Sequence, residues 1–413
     1  MRALRPRWAW PGGLLLALAL GLVAYFVQRE ATDAERRPIV IGLLHALSGP
    51  MAESDAPLVA AVKMAVEELN AGGGLLGRRV ELRIGDSRSD PSAAAAAAER
   101  LIGTEQAAVL FGCGSSACRE AVRPVVEAHR HLLFHPAAHE GMALSAHIVY
   151  TGPTPNQQAL PATGWAMGGF GRRVYLVGTD GLYQRRLGIV LRDFVQLGGG
   201  QLLGERYLPL GAGDMGAVMA DLRRLRPDVV LSAISGAGNQ AFFDALVAAG
   251  LGDQPVLSLG AAEPEMKAFG GGRLGRHFSA WSYLQSQPGP ANEAFLARLR
   301  RRQGEAALAS DTAVSAYLGV QIWAAAVREV GSPQTEAVTV NVLHQSVTAP
   351  QGSATVDGRS RHLWRQLRIA QVRPDGQLRE VVLLPRYIRP EPWPSFRSAE
   401  YWMAELSRIE VER

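Results

Sequence analysis

PIVIGLL (residues 38–44), LVAAVKMAVEELN (58–70) and VELRIGD (80–86) decide the fold. The first and third are short β-branched runs. The second is longer and carries an apolar stripe and a polar face, so the order is strand, amphipathic helix, strand. The alternation continues through the alanine-rich helix PSAAAAAAERLI (91–102), begun by Pro91, the strand AAVLFG (107–112), a helix from Ser116 to Glu127 and the strand LLFH (132–135). A second series follows, with RRVYLVG (172–178), a helix through Val195, QLLGERYLP (201–209), a helix from Asp214, DVVLSAI (228–234) and PVLSLG (255–260). Repeated βα alternation predicts parallel sheets covered by helices. Two such series in 413 residues, beyond the size at which one core usually stops growing, predict two lobes, each with its own doubly wound sheet. Ligands of such sheets sit beyond the carboxyl ends of the strands. The loops 45–55, 112–117, 135–141, 179–186, 235–239 and 260–265 are therefore the candidates.

Composition excludes several classes. Hydrophobic residues make up 47% and charged residues 20%, which is ordinary for a globular chain and unlike disorder. The net charge of +5 comes from arginine, since Lys63 and Lys267 are the only lysines. Those arginines are scattered and form no basic stripe interleaved with aromatics, which argues against a nucleic-acid surface. Cys113 and Cys118 lack the partner ligands of a zinc site and read as buried small residues, a disulfide in an oxidising compartment being the alternative. GGGLLG (72–77) follows a helix and precedes a strand, the reverse of a dinucleotide-binding turn, and reads as a helix ending. With no G-x-S-x-G, P-loop lysine or H-E-x-x-H motif, the expectation is a non-enzymatic protein without cofactor or metal.

The amino terminus reads as a membrane address. Arg2, Arg5 and Arg7 precede an uncharged stretch from Trp8 to Val27, and charge resumes at Arg29. The stretch is about the ~20 residues that span hydrocarbon. No clear A-x-A cleavage pattern follows and no cysteine stands there for lipid attachment, so residues 1–37 are expected to be a retained anchor in preference to a cleaved signal. The positive-inside rule places everything from about Gln28 outside the membrane.

IGLLHALSG (41–49), AVEELNAGGGLLGRRVEL (65–82), DSRSDP (86–91), GCGSSACREAVRPVVE (112–127), VYTGPTPNQ (149–157), GTDGLYQRR (178–186), DVVLSAISGAG (228–238) and APQGSATVDG (349–358) together resemble the type I periplasmic solute-binding proteins. These form the class that serves branched-chain amino acid, amide and urea transporters. The G-C-x-x-S, H-P-x-x-x-E-G (135–141) and T-P-N-Q elements resemble the amide-sensing and urea-binding branch. The resemblance implies two lobes from discontinuous segments: 38–152 with 281–348, and 153–280 with 349–386, followed by a tail at 387–413. Three hinge crossings are implied near 150–155, 279–285 and 348–353. It also implies an ABC transporter permease as partner and an amide, urea or amino-acid-like solute. The alternative it carries is a sensor that controls a signalling or antitermination partner.

Site residues follow from the same resemblance. Ser115 and Ser116 stand where a strand meets a helix start that can hold an oxygen, or one of them serves only as the helix cap. His135 and Tyr183 stand where relatives press tyrosines around the solute, with Ala137 beside them and His139 where another tyrosine is usual. Gly114 replaces a large aromatic and implies extra room. Gly260, Ala261, Ala262 and Glu263 form the closing loop of the second lobe, where Glu263 either holds a solute amino group or is a solvated acid at a helix start.

Overall fold

The computed structural model of the chain describes Leu20, residues 37–268 and residues 275–411. The anchor expected over residues 1–37 therefore lies almost wholly outside the described residues. Among those described, no helix is long and apolar enough to cross a membrane.

Strands β1 (Ile39–His45), β2 (Val80–Asp86), β3 (Leu110–Gly112), β4 (Leu133–His135) and β5 (Ile148–Tyr150) form one sheet in the order β2-β1-β3-β4-β5, parallel throughout. Helices α1 (Ala52–Ala71), α2 (Pro91–Glu99) and α3 (Ser116–Ala128) connect its strands. The chain then builds a second sheet through α4 (Ala159–Phe170), β6 (Arg173–Thr179), α5 (Leu182–Leu197), β7 (Gln201–Leu208), α6 (Gly216–Leu225), β8 (Val229–Ala233), α7 (Gly238–Ala248), β9 (Val256–Ser258), α8 (Glu263–Ala268) and β10 (His277–Trp281). It returns to the first lobe as α9 (Pro290–Gln303), α10 (Asp311–Val330), α11 (Thr335–Asn341) and the hairpin β11 (Ser346–Ala349) and β12 (Gly352–Thr355). Finally β13 (Arg368–Val372) and β14 (Leu378–Leu383) extend the second sheet antiparallel at the β10 edge, and α12 (Ala399–Val411) closes the chain.

Side-chain alternation places each sheet between two helical layers. Ile39, Ile41 and Leu43 face α1 and α10, whereas Leu44, Leu110 and Leu133 face α2 and α3. In the second sheet Val174 and Leu176 face α4 and α5, while Tyr175 and Val177 face α6 and α7. Asp90 caps α2 by accepting from the Ala93 amide at 2.7 Å, with Pro91 in the first turn where its missing N–H costs nothing. The glycine run after α1 is a turn: Gly74 has φ +84°, and a Cβ there would lie 2.1 Å from the Arg78 carbonyl oxygen.

One expectation needs correction. Ala349, Ala354, Val356 and Leu363 are buried in the first lobe's core and Leu367 in the second's, so the third crossing lies at 363–367 and not at 348–353. The described part of the expected tail, residues 387–411, packs against the second lobe. Trp393, Phe396 and Tyr401 pack on the second core around the fully buried Trp402, whose Nε1 donates to the Pro394 carbonyl at 2.8 Å.

The three crossings meet at one buried ion pair. Arg365 Nη1 donates to both Asp311 carboxylate oxygens, at 2.8 and 3.1 Å, and its Nη2 donates to the Thr151 carbonyl and to Ser315. Asp311 Oδ2 in turn accepts from the amides of Ser282 and Tyr283, at 3.1 and 2.8 Å. Arg365→Met strands a buried carboxylate, for which the expected loss is about 3–5 kcal/mol. In urea titrations the double variant Asp311→Leu/Arg365→Met should lose less than the sum of the two single variants.

Candidate functional site

A groove of about 760 Å³ lies between the lobes. Glu53, Ser54, Pro57, Ser310 and Thr312 line it from the first lobe, and Gly236, Gln240, Gly260, Ala262, Glu265 and Trp281 from the second. Each wall is a helix start or a loop at the carboxyl end of a strand, where sheet topology leaves backbone free to meet a ligand. Trp281 is held with its Nε1 donating to the Ala261 carbonyl at 2.9 Å. Glu265 Oε2 accepts from the Ala262 amide at 2.9 Å, and burial, seconded by the charge of Glu53, raises its pKa. The volume suits a small-molecule ligand.

A second locus joins the lobes beside α3. Ser115 is the N-cap of that helix, its Oγ accepting from the Cys118 amide at 3.3 Å, so the capping role belongs to Ser115. Ser116 is buried and donates to Glu140 Oε2 at 2.5 Å. Arg119 Nη2 donates to Glu140 Oε1 at 2.7 Å, and Arg186 Nη1, on α5 of the other lobe, reaches the same oxygen at 3.1 Å. Burial alone would raise the Glu140 pKa, but the Arg119 guanidinium holds it well below the usual carboxylate range. Burial acts against the charge of Arg119 too, and Glu140 more than compensates, raising its pKa. Cys113 and Cys118 are joined in a disulfide that closes the loop carrying Gly114, Ser115 and Ser116, which corrects their reading as two unlinked buried residues.

Behind this network lies an aromatic cluster at the ends of β4 and β5. Tyr150 stacks on His362 with centroids 4.1 Å apart, and His139 meets the Tyr150 ring edge-on at 4.7 Å. His135 is fully buried and lies edge-on to Tyr150 at 6.2 Å. Burial, then the charge of Arg119, drives the His135 and His139 pKa values well down, so both rings are neutral. Burial also lowers His362 to about 3 and raises Tyr150 to about 12. Among the described residues no cluster of histidine, cysteine and acidic side chains is arranged to hold a metal.

The residues expected to surround one solute are thus divided between two loci. Gly260 and Ala262 line the groove, with Ala261 buried behind them. Ser116, His135 and Tyr183 lie at or near the Glu140 network, where burial, then the charge of Glu140, pushes the Tyr183 phenol up. The Ala137 carbonyl is pressed so close to Gly152 that a Cβ there would lie 1.8 Å away. The room expected at Gly114 is taken by Asp55, whose Oδ1 would stand 1.9 Å from an added Cβ. Glu263 points away from the groove into a separate pocket of about 170 Å³ with Lys267, Gln285, Ser286 and Arg300. Its Oε1 accepts from the Gln285 amide at 2.6 Å. Sequence reading passed over Arg119, Glu140 and Arg186, each of which lies inside a quoted motif.

A family model described as a periplasmic binding protein domain matches residues 39–399. The Leu/Ile/Val-binding protein BraC3 of Rhizobium johnstonii is 26% identical over 200 residues, 46% of this chain and 53% of that protein. A Leu/Ile/Val-binding protein homolog 7 of Brucella suis is 34% identical over 110 residues, 27% of each chain. A limonene hydroxylase of Geobacillus stearothermophilus is 29% identical over 101 residues, 24% of this chain and 18% of that protein. The chain thus spans between about a fifth and about half of the length of these curated relatives. Among solved structures, a solute-binding protein of an ABC transporter from Rhodopseudomonas palustris HaA2, in complex with p-hydroxybenzoic acid, superposes with a TM-score of 0.77 at 24% identity, covering 86% of this chain and 98% of that one. LivJ of Streptococcus pneumoniae, in complex with isoleucine, gives 0.74 at 17% identity, covering 84% and 99%. These likenesses show the two-lobed α/β fold.

Burial raises the Glu263 pKa to about 8, far above the roughly 4.3 of an unfolded chain. Between those values the folded protein binds the extra proton, so this residue's contribution to stability falls as pH rises. Glu263→Gln should therefore gain on the wild type by up to about 1.4 kcal/mol per pH unit across pH 5–8 in urea titrations, and parallel curves would refute a buried neutral acid.

Proposed function

Because the chain belongs to the periplasmic binding protein family, we propose that it is an extracytoplasmic solute-binding protein that presents a urea-, amide- or amino-acid-like compound to an ABC transporter permease. The observation that carries this reading is the groove of about 760 Å³ whose walls come from both lobes. A ligand held from two sides gains its full set of contacts only when the lobes are closed, so binding and closure are one event. The Cys113–Cys118 disulfide fits an oxidising compartment outside the cytoplasm. Solved structures of this fold captured with p-hydroxybenzoic acid and with isoleucine support a small-molecule solute, without bearing on which polar head it carries.

The lobes meet at the groove's edge, where a Cβ on Gly236, at φ +58°, would stand 2.9 Å from Ser54 Oγ. A thermal-shift panel of ureas, amides and amino-acid derivatives should yield a solute that at a hundred times its Kd stabilises the protein by about 2.7 kcal/mol. That is a melting shift of several degrees. Gly236→Val both strains the backbone and holds the lobes apart, so titration calorimetry should show affinity for that solute falling on the order of tenfold. Unchanged affinity would refute closure at this contact.

A further inference from the structure

At the start of α3 two guanidiniums gather around buried Glu140, with Glu120 a second carboxylate on them, 2.9 Å from Arg119 Nη2 and 3.6 Å from Arg186 Nη1. Four donors from two lobes converge on Glu140: Ser116 Oγ at 2.5 Å, Arg119 Nη2 at 2.7 Å and Nη1 at 3.4 Å, and Arg186 Nη1 at 3.1 Å. Glu140 and Arg119 are 0% exposed, Ser116 2% and Arg186 8%. The first turn of a 13-residue helix adds its positive end to the two guanidiniums. Glu140 reaches this point from the loop after β4, 24 residues along the chain from Ser116. It bridges the lobes as an external carboxylate would. The site abuts the groove through Asp55, which follows Ser54 of the groove wall and presses on Gly114 beside Ser115. Among the described residues the groove has two ionisable side chains in its lining, Glu53 from one lobe and Glu265 from the other.

We infer that Glu140 is a resident carboxylate filling the anion subsite between the lobes, so that the solute taken by the groove has no carboxylate and carries a neutral or cationic polar head, an amide or an amine. The choice of solute rests on the reading of the groove as the binding site. The occupancy of the anion site does not. Two features agree on it: the guanidiniums at the start of α3 are saturated internally, and among the described residues both ionisable side chains lining the groove are acidic.

The full-length chain, kept in mild detergent, tests both parts by thermal shift with matched probes. Benzamide and benzylamine, or isoleucinamide, should stabilise the wild type by several degrees, whereas benzoate and isoleucine at the same concentration should not. Acetate and benzoate should raise the melting temperature of Glu140→Ala by several degrees more than that of the wild type in equal chloride, because the vacated site takes a free carboxylate. Glu140→Gln, which fills the space without charge, should gain nothing from acetate. If Glu140→Ala folds only when refolded in acetate and not in chloride, that is the same positive result. Folding in neither, or equal acetate shifts in Glu140→Ala and wild type, overturns the resident carboxylate. Benzoate binding the wild type more tightly than benzamide overturns the solute class while leaving solute binding intact. Acetate rescue with no probe binding the wild type overturns the groove reading alone.

Discussion

Everything in this fold hangs on the buried pair of Asp311 and Arg365. The two residues are 54 apart in sequence, and between them they hold the Thr151 carbonyl of the first crossing, the Ser282 and Tyr283 amides of the second and the start of the third. Ser310 caps the helix that Asp311 begins, so the carboxylate also sits at the positive end of α10, the apolar helix at the centre of the first lobe. A buried pair gives little net stability when both partners are present, but each fixes where the other must be. Three strands that would otherwise be independent linkers are tied at one point. Relative motion of the lobes is left with rotation about that point.

Direct contacts between the lobes are of another kind. They run through Glu140 to Arg186, next to the first crossing, where the His139 amide donates to the Pro153 carbonyl, and through Ser54 to Gly236 at the groove. The hinge is thus a point of covalent continuity reinforced by charge, with a second charged contact between the lobes close beside it. The disulfide between Cys113 and Cys118 lies within the first lobe, beside one of these contacts. It steadies the helix start from which Ser116 and Arg119 reach Glu140.

Much of the architecture was legible because period-two alternation is a local property. Val174, Tyr175, Leu176 and Val177 announce both faces of a covered sheet within four residues, and Asp90 with Pro91 announces a helix start within two. The third crossing was misplaced because the loop 349–358 is polar and turn-like, and only its packing shows that Ala354 and Val356 belong to the first core. The candidate site was legible in place but not in role. Ser116, Arg119, Glu140 and Arg186 were all inside recognisable motifs, yet the Arg186–Glu140 pairing spans 46 residues and two lobes, and no local pattern encodes it. Gly114 misled for the same reason. A missing side chain reads as space until the fold brings Asp55 into it.

Because Glu140 is covalently attached to the lobe that carries Ser116 and Arg119, it competes for their donors at an effective concentration set by the loop that bears it, which for short tethers is in the millimolar range or above. A free acid at lower concentration loses that contest whatever the rest of its structure. Discrimination of this kind needs no clash built into the binding surface and does not depend on the shape of the competitor. It is set by chain connectivity, and it leaves the shape of the groove free to vary for other ends.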